Sequence, residues 1–158
     1  ANSHDNLGII KRMSSGIRNM DLKMMYMGFM LMKCNDHHLH ITSAGMPPCL
    51  KYTAESEGVE QIILKGMPLG SRVEYPYKKE IVEVQKGDTF LLMSDGLMEL
   101  FNGDREQLGI ERIKRVFAES ANSSASDILS QITKLIDQWS GTKSQEDDIT
   151  VLVMKAKK

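Results

Sequence analysis

Two acidic positions in this sequence could do chemistry, and both adjoin runs with the apolar density of buried strands. Phe90-Leu91-Leu92-Met93-Ser94 leads into Asp95-Gly96, and Asp147-Asp148 opens into Ile149-Thr150-Val151-Leu152-Val153-Met154. A carboxylate at a strand end is anchored by a rigid sheet while its oxygens stay reachable. That arrangement suits a hard divalent cation such as Mg²⁺ or Mn²⁺. Each acid also has a plainer reading. Asp-Gly is a common turn dipeptide, and paired acids in a polar loop ordinarily face solvent. Taken singly, neither one decides between a turn and a cation site.

Other candidates are weaker. Cys34, His38 and His40 in Cys-Asn-Asp-His-His-Leu-His have zinc-ligand chemistry, with His38 and His40 on one face of a strand. No second spaced pair accompanies them except Cys49, and histidines on a polar strand face are ordinary. Lys65, Arg72 and Lys78 could meet a phosphate, although scattered cations are the rule on any surface. Arg72 is the candidate substrate contact among them.

These residues need a scaffold, and the composition allows one. The chain has 158 residues, 41% hydrophobic and 26% charged, which is enough for a single domain spanning residues 1–158 with a real core. A net charge of -1 with interspersed signs argues against a nucleic-acid or anionic-membrane surface. No apolar run is long enough to span a bilayer, and Ala1–Ile10 lacks the build of a secretory signal. Two cysteines make no disulfide framework, so a reducing, cytoplasmic setting is expected.

Periodicity supplies the elements. Leu7, Ile10, Met13 and Ile17 predict an amphipathic helix ending near Asn19. Met24 to Cys34 is apolar on both faces, the pattern of a strand covered on both sides. Asn35-Asp36 predicts a turn into a second strand carrying Leu39 and Ile41, which Pro47-Pro48 stops. Further strands are predicted at 50–53, 61–64, 79–84 and 89–93. Ile110, Ile113, Val116 and Phe117 then mark one helix. Ile128, Leu129, Ile132, Leu135, Ile136 and Trp139 mark another, opened by a capping-box pair, Ser124 and Asp127. A last strand follows Asp148. This order predicts an α+β fold of mainly antiparallel strands flanked by helices.

Four segments in order, ITSAGMPPCLKY, GMPLGS, VQKGDTFLLMSDGLMELFN and DDITVLVMK, resemble the C-terminal part of the bacterial metal-dependent PPM (PP2C-type) serine/threonine phosphatases. The similar subgroup is that of SpoIIE and RsbU, and the likeness runs from about Tyr26 to the end. The resemblance implies a β-sandwich flanked by helices, incomplete at the N-terminus. It also implies a dinuclear Mn²⁺ or Mg²⁺ centre whose bridging water attacks phosphoserine or phosphothreonine in line. By motif position Asp95 and Asp147 would be catalytic metal ligands. Gly96 would leave room for close approach, Asp148 would support the ligands by hydrogen bonding, and Glu99 would be solvated or capping. The implied substrate is a phosphorylated regulatory protein resembling an anti-sigma-factor antagonist, with a sensor domain upstream.

Two departures bear on activity. The family's earlier Gly-Asp…Gly-His-Gly segment, whose aspartate bridges both metals, has no counterpart before Asp95, so the chain reads as the C-terminal piece of a longer protein. Met46 stands where the subgroup carries histidine after Ala-Gly, and a thioether cannot donate a hydrogen bond. Little turnover is therefore expected from the chain alone. A sheet edge left uncovered is expected to pair with a second copy in a homodimer. The rival readings are a pseudophosphatase that binds a phosphoprotein without hydrolysis, and an unrelated α+β binding module in which both acids only shape turns.

Overall fold

The computed structural model describes residues 5–21, 25–141 and 147–157. The chain divides into two compact units, Ala1–Met46 with Ile63–Val84, and Pro47–Ile62 with Gln85–Lys158. Both combine helix with antiparallel sheet, as the α+β expectation required.

The first unit sets one helix on a three-stranded sheet. Helix α1 (Asn6–Asn19) forms where the apolar period predicted it. Ile10 is fully buried against Ala44, Leu69 and Tyr77, with Leu7, Met13, Ile17, Phe29 and Leu31 packed around them. The buried Asn6 side chain donates to the His40 carbonyl at 3.0 Å, tying the first turn of the helix to the sheet. Strands β1 (Phe29–Asn35) and β2 (His38–Ala44) form the expected hairpin, with Asp36 turning at φ 51°. Residues Lys79–Glu83 form a third strand, which pairs antiparallel with β2, so β1 is an edge of this sheet.

The prediction for Met24–Cys34 needs correction. Met24 lies outside the described residues. Met25 and Tyr26 are exposed, and Met27 makes only an isolated bridge to Leu69. The strand starts at Phe29 and is half-buried at best. Phe29 and Leu31 alternate onto the face that α1 covers, whereas the other face has no such partner among the packed residues. Apolar content on both faces did not bring full burial.

In the second unit, β3 (Cys49–Thr53) and β4 (Gly58–Ile62) form a hairpin. Naming the Lys79–Glu83 strand β5, the remaining strands are β6 (Thr89–Met93) and β7 (Val151–Lys155). The four-stranded sheet runs β4-β3-β6-β7, antiparallel throughout. The strand expected at 61–64 is thus displaced toward the chain start. The tight 54–57 turn sets Thr53 against Gly58, and that register decides which residues pair.

Three helices accompany this sheet. The short α2 (Asp95–Met98) follows β6 directly, and α3 (Ile110–Ser120) and α4 (Ala125–Ser140) follow it. Ile113, Phe117, Ile128 and Ile132 are fully buried with Leu50, Leu91, Leu97 and Leu108. Each such side chain contributes about 1.5–3 kcal/mol relative to an exposed one. Leu129 is an exception to the predicted stripe, being 42% exposed. It sits about 100° around the helix from Ile128, whereas Ile132, Leu135 and Trp139 return to the same face. Ser124 caps α4, its hydroxyl accepting from the Asp127 amide at 3.2 Å and donating to the Asp127 carboxylate at 2.6 Å.

Three polar anchors hold the second unit in register. Trp139 Nε1 donates to the Leu100 carbonyl at 3.0 Å, and the Arg112 guanidinium lies 4.3 Å over the indole. Lys155 Nζ donates to the carbonyls of Ala121 and Ser123 beyond the end of α3. Asp88, fully buried, accepts from the amides of Ala54 and Gln85 and meets Lys51 Nζ at 3.4 Å. No helix among the described residues is long and apolar enough to cross a membrane.

Two outcomes follow. Asp88→Ala removes the acceptor for two backbone amides and leaves Lys51 without its buried partner, so unfolding free energy should fall by about 3–5 kcal/mol; a loss under about 1 kcal/mol in urea titration would show that this anchor is dispensable. Cys49 is fully buried and its thiol is pushed up to about 12 by burial, whereas Cys34 is exposed. A native thiol titration should therefore modify Cys34 alone until the protein unfolds. Because the folded-state value lies above the ordinary 9.0, this thiol's contribution to stability is intact below pH 9 and lost as pH rises toward 12.

Candidate functional site

The pairing of β6 with β7 brings the two acidic segments together. Met93 pairs with Val151, and continuing that register sets Ser94 against Thr150 and Gly96 against Asp148. Backbone and side chain both confirm this extension. The Ser94 amide donates to the Thr150 carbonyl at 3.0 Å. The Ser94 hydroxyl accepts from the Thr150 amide at 2.9 Å and donates to the Asp148 carbonyl at 3.1 Å. One serine therefore clamps the start of β7 onto the end of β6.

Glycine at 96 completes the approach. A Cβ there would lie 2.6 Å from the Asp148 carbonyl oxygen and 3.5 Å from Asp147 Cβ. Only a residue without a side chain lets these two segments lie this close. Gly96 is buried, while Asp95, Asp147 and Asp148 are exposed. The site is thus a rigid floor of backbone with carboxylates at its rim.

Both candidate ligands are oriented in the same way. Asp95 Oδ1 accepts from the Gly96 amide at 3.2 Å, and Asp147 Oδ1 accepts from the Asp148 amide at 2.8 Å. Each carboxylate uses one oxygen to accept from the next residue's N–H, which restrains its rotation. Glu99 is exposed and its amide donates to the Asp95 carbonyl, so it serves the turn of α2. A pair of carboxylates on strand ends is the hard oxygen donor set that suits Mn²⁺ or Mg²⁺. Among the described residues no group of three or more His, Cys, Asp or Glu side chains is placed to hold a metal ion.

Arg72 is exposed on a turn of the first unit, and the acids belong to the second. Lys65 and Lys78 are exposed as well. The zinc reading fails on register. Cys34 pairs across the hairpin with Leu39, which places it on the opposite sheet face from His38 and His40. Cys49 is buried in the other unit. Met46 is half-buried, its sulfur 3.0 Å from where a Cβ on Gly28 would stand, so it packs rather than bonds.

Sequence reasoning missed Ser94 and Thr150. A serine before Asp-Gly carries no distinctive local signal, and only the pairing of strands more than fifty residues apart shows what its hydroxyl does.

Comparison with known proteins bears on the fold and the family. Phosphoserine phosphatase RsbU of Bacillus subtilis is 29% identical over 124 residues, covering 77% of this chain and 36% of that protein. The SiaA-PP2C domain of Pseudomonas aeruginosa superposes with a TM-score of 0.83 at 20% identity, over 98% of this chain and 62% of that one. The PP2C phosphatase domain of the cell fate determinant SpoIIE from Bacillus subtilis, solved with a fragment of its regulatory domain, gives 0.74 at 18% identity, over 96% and 44%. The chain thus spans about a third of RsbU and less than two thirds of either solved chain. At these identities the structures establish the fold, which is that of PP2C domains. The family model of Stage II sporulation protein E (SpoIIE) matches residues 2–157, so the chain belongs to that family.

Proposed function

We propose that this chain is the C-terminal part of a single metal-dependent protein serine/threonine phosphatase domain. Its substrate would be phosphoserine or phosphothreonine on a regulatory protein resembling an anti-sigma-factor antagonist, with a sensor domain elsewhere in the longer protein. One observation supports the reading: the segments that carry Asp95 and Asp147, 52 positions apart in the sequence, lie against each other beyond the paired ends of β6 and β7. Membership of the SpoIIE family and likeness to a phosphoserine phosphatase support it.

Asp95 and Asp147 are the residues that would hold Mn²⁺ or Mg²⁺, with a further acid supplied from outside the described residues. Such cations, when bound, lower the pKa of a coordinated water and offset charge on phosphoryl oxygens. The chain's own part is preorganisation. Ser94 joins the two strands and fixes the spacing between the acids. The amides of Gly96 and Asp148 hold the carboxylates at defined rotations before any ligand arrives. Gly96 leaves the Asp148 backbone close enough for that geometry to exist.

A second reading has specific support. Met46, its sulfur packed beside Gly28 where the resembling subgroup carries histidine, suits a pseudophosphatase that binds a phosphoprotein without turnover.

The two separate in one assay. A longer form carrying the Gly-Asp…Gly-His-Gly segment should release phosphate from an aryl phosphate with Mn²⁺ or Mg²⁺ and stop in EDTA. Asp95→Asn and Asp147→Asn should each lower that rate by more than about 100-fold, beyond what loss of a supporting group costs. The chain alone should show little turnover. Silence of the longer form with every divalent metal would favour the pseudophosphatase. Gly96→Ala tests the scaffold: a Cβ 2.6 Å from the Asp148 carbonyl should cost about 1–3 kcal/mol of stability and depress activity at saturating metal. Unchanged stability and rate would mean that the approach of the two segments is not needed.

A further inference from the structure

The first unit contains a pocket of about 450 Å³ lined by Lys11, Ser14, Ser15 and Arg18 on one side and by Glu74, Tyr75, Pro76 and Tyr77 on the other. Positions 11, 14, 15 and 18 recur at helical spacing, so α1 presents two cations and two hydroxyls along a single stripe. Opposite stands an aromatic wall. Tyr75 and Tyr77 meet edge to face at 4.9 Å, and Tyr77 is anchored by its hydroxyl, which donates to the Met67 carbonyl at 3.0 Å. Pockets of this volume, apolar on one side with a few polar groups opposite, fit small-molecule ligands.

One atom gives the pocket its chemistry. Among the described residues, Arg18 Nη1 is buried and has no hydrogen-bond partner; Thr42 Oγ1 is the other such atom. A guanidinium carries only donors and stays charged at every accessible pH. Burying one of its N–H groups without an acceptor is unfavourable, and an incoming oxyanion would relieve that penalty. Glu74 does not do so: no ion pair joins it to Arg18 or Lys11 among the described residues, and it is exposed. Ser14 is already engaged, its hydroxyl accepting from the Gly70 amide at 3.1 Å, which couples the pocket floor to the turn at Gly70.

We propose that this pocket binds a small oxyanion, a carboxylate or phosphate on a ring-bearing body, with the head group drawn to the Arg18 guanidinium and Lys11 and the ring against Tyr75 and Tyr77. Its lining residues belong to the first unit, and Asp95 and Asp147 belong to the second. Its ligand would be a modulator of the protein rather than its substrate.

Benzoate, phenyl phosphate and, as a neutral control, benzyl alcohol are the probes. Binding is followed through the Gly70 amide and the Tyr77 ring by NMR, on the Asp95→Asn protein in EDTA so that phosphate held at the acid pair cannot contribute. Saturable shifts with benzoate, phenyl phosphate or both are expected, and the stronger of the two identifies the head group. Arg18→Gln should weaken binding by about 10–100-fold, the span of a charge-assisted hydrogen bond. Lys11→Gln should weaken it less, and Glu74→Gln should tighten it by removing repulsion. Lys11 and Glu74 are exposed, so those two variants keep the test decisive if Arg18→Gln does not fold. The proposal is overturned if neither anion gives a saturable shift, if benzyl alcohol matches them, or if Glu74→Gln weakens binding.

Discussion

Everything at the candidate site depends on how closely the chain after β6 approaches the chain before β7. Asp148 offers a backbone carbonyl at a point where any side chain on residue 96 would collide with it. Glycine removes the obstacle, and the Ser94 hydroxyl fills the remaining hydrogen-bonding capacity by bridging the Asp148 carbonyl and the Thr150 amide. The result is a short cross-link of backbone with no apolar filler. The backbone bond from the Ser94 amide to the Thr150 carbonyl adds a third link beside the two made by the serine hydroxyl.

The rest of the second unit keeps this cross-link in place. Leu97 and Leu100 carry α2 into the core formed by Ile113, Phe117, Ile128 and Ile132. Trp139 holds the Leu100 carbonyl, so the chain leaving the site cannot drift from α4. At the other end of β6, Asp88 sequesters the amides of Ala54 and Gln85 and pairs with Lys51. A buried carboxylate in this position looks like chemistry in a sequence. Its saturation with amides and a lysine makes it architecture instead. Asp95 and Asp147, by contrast, are exposed.

The first unit follows a different logic. Its core is small, centred on Ile10, Ala44, Leu69 and Tyr77, and its outer strand is only half covered. Lys11, Ser14, Ser15 and Arg18 run beside the apolar stripe of α1 and line a pocket, and one arginine nitrogen lacks an acceptor.

The helices and most strands were legible from the residues alone, since burial of one face imprints a period of 3.6 or 2 on the chain. The same reasoning placed Asp95 and Asp147 at strand ends. It erred where a neighbouring layer, not local pattern, sets the outcome: Met25 and Tyr26 are apolar but uncovered, and the β4 register follows from the turn at 54–57. It also could not separate Cys34 from His38 and His40, which their pairing puts on opposite faces. Residue types and spacing therefore determined the α+β class, the family pattern and the identity of the acids. The tertiary structure alone decided that the two segments bearing those acids lie side by side, that Ser94 bridges these segments and that Arg18 Nη1 lacks an acceptor. Such facts arise from contacts between segments distant in sequence, and no local period records them.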